Sequence, residues 1–331
     1  MDSRRARWLL PRTGNTAMRK EHNTGWFVII VALALSSPIG AQPDPQSASW
    51  VTAHTDRNPT VSPDGKRLIF QSDRSGRRAL YITTGTGTDV SVFLDEDNEP
   101  RYADWSPKGD QVTFAANVGG EDDIFVINID GTNQYRLTTH PARDGHPRWS
   151  PDGSRIFFNS ERVASEPGAP QTGEDVVDIF SIRPDGTDLV RHTRCRSECS
   201  YPSLSPDGTK LLYRRVFWVD GNHGERIRNS EIVISDIDGS GEQNLTNNPS
   251  YDVYPIWSHD GRWVYFSSVR SKTEPRMHLW RVPATGGAAQ QITTGDWHHR
   301  QAIPDRQGSK IYLFQFNRVN GTDLGHIAAI D

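Results

Sequence analysis

The sequence predicts an all-β fold, a six-bladed β-propeller of four-stranded antiparallel blades, and three observations carry that prediction. The first is a turn that recurs six times. It reads Ser62-Pro63-Asp64-Gly65, Ser106-Pro107-Lys108-Gly109, Ser150-Pro151-Asp152-Gly153, Ser205-Pro206-Asp207-Gly208, Ser258-His259-Asp260-Gly261 and, worn down, Asp305-Arg306-Gln307-Gly308. Proline presets φ for such a turn and glycine accepts the positive φ that closes it. The turns stand 44 to 55 residues apart, a period typical of propeller blades.

The second observation is a strand pattern after each glycine. Three residues on stand Leu68, Val112, Ile156, Leu211, Val264 and Ile311, and five residues on stand Phe70, Phe114, Phe158, Tyr213, Phe266 and Leu313. Both positions lie on one face of a strand, so each unit buries an aliphatic and a large side chain together. The third observation is a second apolar segment in each unit, such as Ile124-Phe125-Val126-Ile127 and Ile179-Phe180-Ser181-Ile182. Three of these run into a hairpin pair, Asp130-Gly131, Asp185-Gly186 or Asp238-Gly239. A short fourth strand then ends near threonine, as at Tyr135-Arg136-Leu137-Thr138.

The sixth unit reaches Asp331 after its third strand, while Ser49-Trp50-Val51-Thr52 looks like a fourth strand placed ahead of the first turn. Pairing residues near 48–53 with the strand near 327–330 is expected to complete the last blade and leave no free edge. The propeller then occupies 42–331 as a single domain. Residues 1–41 read as a signal peptide. Arg19 and Lys20 precede the apolar run Trp26 to Leu35, and small residues lead to a cut after Ala41, with Met18 as a second possible start. The run is too short for a permanent span, so no transmembrane segment is expected in the mature chain. The expected location is the periplasm or the medium.

A net charge of −4 without a basic stripe argues against a nucleic-acid partner. Export also colours the two cysteines: Cys195 and Cys199 are expected to form a local disulfide in the connection between blades three and four.

Strand direction assigns the tight turns to one rim. The inter-blade connections and the links between strands two and three lie on the other, and the longer repeats owe their extra residues to this variable rim. Such insertions mark either a recognition surface or tolerated loop drift. The blade-four insertion carries Phe217 and Trp218 as candidate rim contacts. Seven residues before each turn glycine stand Asn58, Tyr102, His146, Tyr201, Tyr254 and Gln301, all able to hydrogen-bond. Two residues earlier stand Asp56, Pro100, Asp144, Cys199, Asp252 and His299. Symmetry predicts two concentric rings at the channel mouth. Of these, Asp56, Asn58, Tyr102, Asp144, His146, Tyr201, Asp252, Tyr254, His299 and Gln301 form the candidate ligand site. The plainer reading is that the aspartates and tyrosines satisfy loop backbone.

The turns Trp105-Ser106-Pro107-Lys108-Gly109, Trp149-Ser150-Pro151-Asp152-Gly153 and Trp257-Ser258-His259-Asp260-Gly261, with Ser72-Asp73-Arg74-Ser75-Gly76, resemble the TolB-type propeller family. The resemblance covers residues 48–331 and implies the fold. TolB proper carries an α/β domain ahead of its propeller, for which few residues are expected between the cut and the first strand. Prolyl-oligopeptidase-like enzymes need a hydrolase domain, and no Gly-x-Ser-x-Gly elbow appears. The leading expectation is a non-catalytic exported propeller, without cofactor, that binds a protein, peptide or glycan on its variable rim. The alternative is a metal-dependent uronate lyase, since some polysaccharide lyases are similar at the repeat level; His146, His298, His299 and Gln301 would then hold one divalent metal. Asp95-Glu96-Asp97-Asn98-Glu99 reads as a solvated acidic loop rather than a calcium site.

Overall fold

A computed structural model of the chain describes residues 54–84, 87, 89–165, 176–220, 226–271, 276–319 and 322–330. The expected signal peptide and ring-closing strand near 48–53 lie outside these residues, as do residues 166–175 of blade three and the tip of the blade-four insertion. The propeller belongs to a unit spanning Ala48–Asp331.

Six antiparallel sheets are arranged in chain order. Blade one holds β1 (Asp56–Val61), β2 (Arg67–Ser72), β3 (Ala79–Thr84) and β4 (Ser91–Leu94). Blade two holds β5 (Arg101–Trp105), β6 (Gln111–Val118), β7 (Glu121–Asn128) and β8 (Tyr135–Arg136). In blade three stand β9 (Asp144–Trp149), β10 (Ile156–Ser160), β11 (Asp178–Ile182) and β12 (Val190–Arg191). Blade four has β13 (Cys199–Leu204), β14 (Lys210–Asp220), β15 (Arg226–Asp236) and β16 (Gln243–Asn244). Blade five has β17 (Asp252–Trp257), β18 (Trp263–Ser268), β19 (His278–Pro283) and β20 (Gln290–Gln291). Blade six shows three strands among the described residues: β21 (His298–Pro304), β22 (Ile311–Val319) and β23 (Thr322–Ile330).

The repeated local bonds explain why each unit folds alike. In the turn before β10, Ser150 Oγ donates to Asp152 at 2.6 Å and accepts from the Arg155 amide at 2.9 Å, while Gly153 takes φ 71°. Stabilisation of the carboxylate by these bonds holds Asp152 below the usual carboxylate range. At the outer edge, Thr138, Thr193, Thr246 and Thr293 each accept a third-strand amide, at 2.9–3.0 Å. A two-residue fourth strand is anchored this way.

The core lies between blades. Ile124, Val126 and Leu137 of blade two pack with Trp149, Ile156 and Phe158 of blade three. Ile327 of blade six packs against Phe70 and Tyr81 of blade one, so the first and last blades share a core. Of the aliphatic and large positions read from the repeat, all are buried except Ile311, which is half-buried. Each such burial contributes roughly 1.5–3 kcal/mol.

The blades alternate in kind. In blades one, three and five the second strand stops at Ser72, Ser160 or Ser268, and an arginine two residues later folds back. Arg74 donates twice to Asp56 at 2.8 Å, Arg162 donates to Asp144 at 3.0 and 2.8 Å, and Arg270 pairs with Asp252. Each guanidinium also lies near two rings of its blade: Phe70 and Tyr81, Phe158 and Phe180, or Phe266 and Trp280. Val118, Phe217 and Asn317 stand at the equivalent position in the other three blades. There the hairpin runs on instead, through β6–β7, β14–β15 and β22–β23. The variable rim thus alternates three clamped ends with three longer ribbons.

Removing one partner of such a clamp strands a buried charge. Asp144→Ala is expected to lower unfolding free energy by about 3–5 kcal/mol in urea titrations. Replacing both partners with apolar residues, as in Asp144→Leu with Arg162→Met, is expected to recover most of that loss.

Candidate functional site

Every innermost strand breaks its ladder at the same place. The register shifts between Arg57 and Thr60, Arg101 and Asp104, Phe157 and Asn159 (opposite Gly145 to Arg148), Ser200 and Ser203, Val253 and Ile256, and Arg300 and Ile303. Inside each break sits one predicted inner-ring residue, and all six take left-handed backbone: Asn58 53°, Tyr102 55°, His146 52°, Tyr201 57°, Tyr254 56° and Gln301 55°. Proline comes next in four cases (Pro59, Pro147, Pro202, Pro255) and alanine in two. A proline offers no amide to the ladder, so a bulge is the place in a strand that tolerates it. For non-glycine residues this backbone costs roughly 1–2 kcal/mol each. Bulges re-aim side chains, and here all six line one axial cavity of about 50 Å³.

Direct contacts link four of the six neighbouring pairs in the inner ring. Ring centroids lie 4.1 Å apart for Tyr102 and His146, 3.9 Å for His146 and Tyr201, and 4.9 Å for Tyr201 and Tyr254. On the other side, Gln301 Nε2 donates to Asn58 Oδ1, and Asn58 Nδ2 donates to Gln71 at 2.8 Å. His146 Nδ1 lies 2.8 Å from Asn159 Oδ1, which makes Nδ1 the protonated nitrogen. Its Nε2 is a buried acceptor without a protein partner. Burial lowers the His146 pKa to about 3. Burial, then neighbouring Tyr254 and Tyr102, raises Tyr201 well above the ordinary phenol value. His146 and Tyr201 are therefore neutral at pH 7.

Two wider spaces flank this constriction. Toward the tight turns lies a funnel of about 330 Å³ with Trp105, Trp149, Trp257 and the turn prolines in its wall. Toward the variable rim lies a space of about 270 Å³ lined by Asn58, Tyr102, Tyr254, Gln301, Phe314 and five arginines. Arg78 meets Glu99 at 3.3 Å, Arg101 pairs with Asp122, and Arg143 reaches Asp122 at 3.1 Å. Arg57 and Arg300 have no carboxylate in ion-pair contact among the described residues. They lie by aromatic rings instead, Arg57 at 6.0 Å from the Phe314 centroid and Arg300 at 4.5 Å from that of Phe316.

The outer set does not join the inner one. Asp56, Asp144 and Asp252 are buried in the arginine clamps, and burial raises Asp252 to about 6. His299 is buried beside His278, with ring centroids 5.6 Å apart. Cys199 is bonded to Cys195, with Cα atoms 6.1 Å apart, so the expected disulfide is present. A pair of residues eighteen positions apart, such as Asp56 and Arg74, gives no signal in a single repeat, which is why symmetry alone assigned these aspartates to the mouth. Phe217 and Trp218 stand on β14, opposite Asn229 and Arg228, and Trp218 is exposed. Both lie on the blade-four ribbon, away from the residues lining the three axial spaces. His298 and His299 are adjacent in β21 and leave opposite faces of it. His298 stacks on Phe316 at 4.9 Å. Among the described residues, His146, His298 and His299 do not converge as a three-ligand group.

Arg57, Arg78, Arg101 and Arg143 escaped the sequence reading, although a signal existed. Arginine directly precedes the inner-ring residue at Arg57, Arg101 and Arg300.

Against known proteins, residues 98–217 match the family profile described as TolB beta propeller domain. Over those residues the repeat is of the TolB type. TolB from Acinetobacter baumannii superposes with a TM-score of 0.58 at 20% identity, over 74% of this chain and 56% of that one. A protein of Agrobacterium tumefaciens assigned as TolB gives 0.58 at 20% identity, over 85% and 92%. An oligogalacturonate lyase from Vibrio parahaemolyticus gives 0.55 at 12% identity, over 82% and 78%. These likenesses establish the fold. In sequence, the Agrobacterium fabrum protein Atu1656, itself uncharacterised, is 32% identical over 116 residues, which is 34% of each chain. The chain thus spans about a third of that relative and just over half of the Acinetobacter TolB.

A pH titration tests the buried ring histidine. The unfolded chain takes up a proton near the ordinary histidine value of about 6.5, whereas folded His146 resists it down to about 3. Its contribution is therefore complete above pH 6.5 and is lost as pH falls toward 3; His299, also lowered to about 3 by burial, behaves alike. Urea midpoints measured from pH 7.5 to 4 are expected to fall, and His146→Phe is expected to flatten the slope by up to about 1.4 kcal/mol per pH unit. An unchanged slope would show that the imidazole reaches water in the folded state.

Proposed function

We propose that this chain is an exported binding propeller whose variable-rim mouth receives a protein, peptide or glycan, with no catalytic step of its own. One observation carries the reading: six polar or aromatic side chains are each held in left-handed backbone and face a single axial opening. A scaffold that needed only to close its ring would not hold non-glycine residues in costly backbone at all six equivalent bulges, and strained positions of this kind cluster where ligands are gripped. The signal sequence and the Cys195–Cys199 disulfide support a periplasmic or secreted location. Among the described residues no helix is long and apolar enough to cross a membrane.

The lyase alternative draws on the Vibrio neighbour, but its proposed ligands do not fit one cation here. His298 and His299 diverge from β21, and His146 spends Nδ1 on Asn159. A single set of experiments separates the two readings. A photoreactive side chain placed at Gln301 in the exported protein is expected to capture a partner in its native compartment. The same group at Pro151, on the opposite rim, is expected to capture none. Oligogalacturonate incubated with the protein and manganese is expected to yield no unsaturated product. Capture from Pro151 alone, or unsaturated product, would reverse the assignment.

A further inference from the structure

The mouth carries two cations, Arg57 and Arg300, without a carboxylate to balance them among the described residues. They belong to neighbouring blades, one and six, and each directly precedes an inner-ring residue. Those residues, Asn58 and Gln301, are hydrogen-bonded to one another. Both arginines line the same space of about 270 Å³. Phe314 and Phe316 stack beneath them with centroids 4.7 Å apart and planes 6° from parallel. Arg57 lies by the first ring and Arg300 over the second. Arg300 Nε also donates to Met277 Sδ at 3.2 Å. The two guanidiniums are thus held by packing rather than by carboxylates.

Their neighbours are differently placed. Arg78, Arg101 and Arg143 share Glu99 and Asp122. Arg57 and Arg300 are half-buried and have no such counter-charge among the described residues. A partly desolvated cation without a counter-ion is costly unless something supplies one. The chain as a whole is negative, at −4, so this is a local reversal of sign.

We infer that Arg57 and Arg300 form a receptor for a carboxylate carried by an acidic peptide segment that enters the mouth from the variable rim. The inference rests on the mouth being a binding site, and it names the ligand chemistry. Guanidinium groups present paired N–H donors suited to a carboxylate. The Gln301 and Asn58 amides and the Tyr102 and Tyr254 phenols border the same space and offer bonds to peptide groups. An acidic sugar is the poorer match. Phe314 and Phe316 are almost fully buried and have arginines against them, and the half-buried Tyr102 and Tyr254 already pack against His146 and Tyr201. The space fits one or two side chains ahead of the constriction.

The test is calorimetric titration of the full exported protein with hexaglutamate, hexaglutamine, digalacturonate and inorganic phosphate. Hexaglutamate is expected to bind, weaken on raising salt from low to physiological strength, and outcompete the other three. Arg57→Gln with Arg300→Gln is expected to weaken it by roughly ten- to hundred-fold. Arg57→Lys with Arg300→Lys, which keeps the charge but loses the fork, is expected to fall between. Unchanged melting temperatures establish that the variants are folded. Hexaglutamate that fails to bind, or binds the double glutamine variant equally well, overturns the inference, as does tighter binding of digalacturonate or phosphate. If the photoreactive group at Gln301 still captures its partner in such a case, the carboxylate receptor is wrong while the binding role of the mouth stands. If hexaglutamate binds at the arginine pair but Gln301 captures nothing, the binding role fails on its own.

Discussion

The feature on which the rest of this molecule depends is a bulge at the head of each innermost strand. It forces one residue per blade into left-handed backbone and turns that side chain toward the axis. Six bulges at one radius produce the constriction, and the constriction divides the axial space into an arginine-lined mouth and a funnel walled by tryptophan and proline. Without the bulge, strict alternation would send these residues into the interface between blades, where a tyrosine hydroxyl or a glutamine amide would need a buried partner. Proline after four of the six keeps the ladder from re-forming across the break.

The remaining chemistry is distributed by departures from the repeat. Blades one, three and five end their second strand in an arginine clamp, which consumes Asp56, Asp144 and Asp252 as structural counter-ions. The intervening blades carry proline, cysteine and histidine where those aspartates stand, at Pro100, Cys199 and His299. They extend their hairpins instead, and in blade four the disulfide holds the entry to the blade. An ion pair so deeply buried adds little net stability, but losing half of it costs much. The clamps are therefore better understood as fixing where a strand stops than as a reserve of stability.

The fold was legible because its signals recur. Six turn signatures and six pairs of buried positions such as Val112 and Phe114 reinforce one another, so that an eroded unit such as Asp305 to Gly308 is still recognised. The inner ring was legible for the same reason, by position alone. What sequence did not disclose was conformation: nothing in Tyr201-Pro202 announces φ near 57°, and residues before proline ordinarily sit in extended backbone. Nor did it disclose pairing at a distance. Arg74 and Asp56 meet only because β1 and β2 are antiparallel neighbours with Asp56 opposite Ser72. The arginine pair was hidden differently. Arg57 and Arg300 lie 243 residues apart and become neighbours only when blade six closes against blade one.

That closure also gives the mouth a direction. Arg300, Arg57, Arg78, Arg101 and Arg143 arrive from blades six, one and two and from the connection into blade three, whereas Gly145, Ser200 and Val253 occupy the position of Arg57 in the other blades. The far side of the ring is aromatic, with Tyr201 and Tyr254 in edge contact and Arg214, 4.9 Å over the Tyr201 ring, neutralised by Glu198 and bonded to Tyr251. A ring of identical blades would have no preferred azimuth and would hold an asymmetric ligand equally in six orientations. Here one half offers cationic donors and the other offers neutral phenols, so a chain with an acidic group at one edge has one favoured way to lie. Specificity on a symmetric scaffold has to come from broken symmetry, and in this molecule the break falls at the seam where the ring is joined.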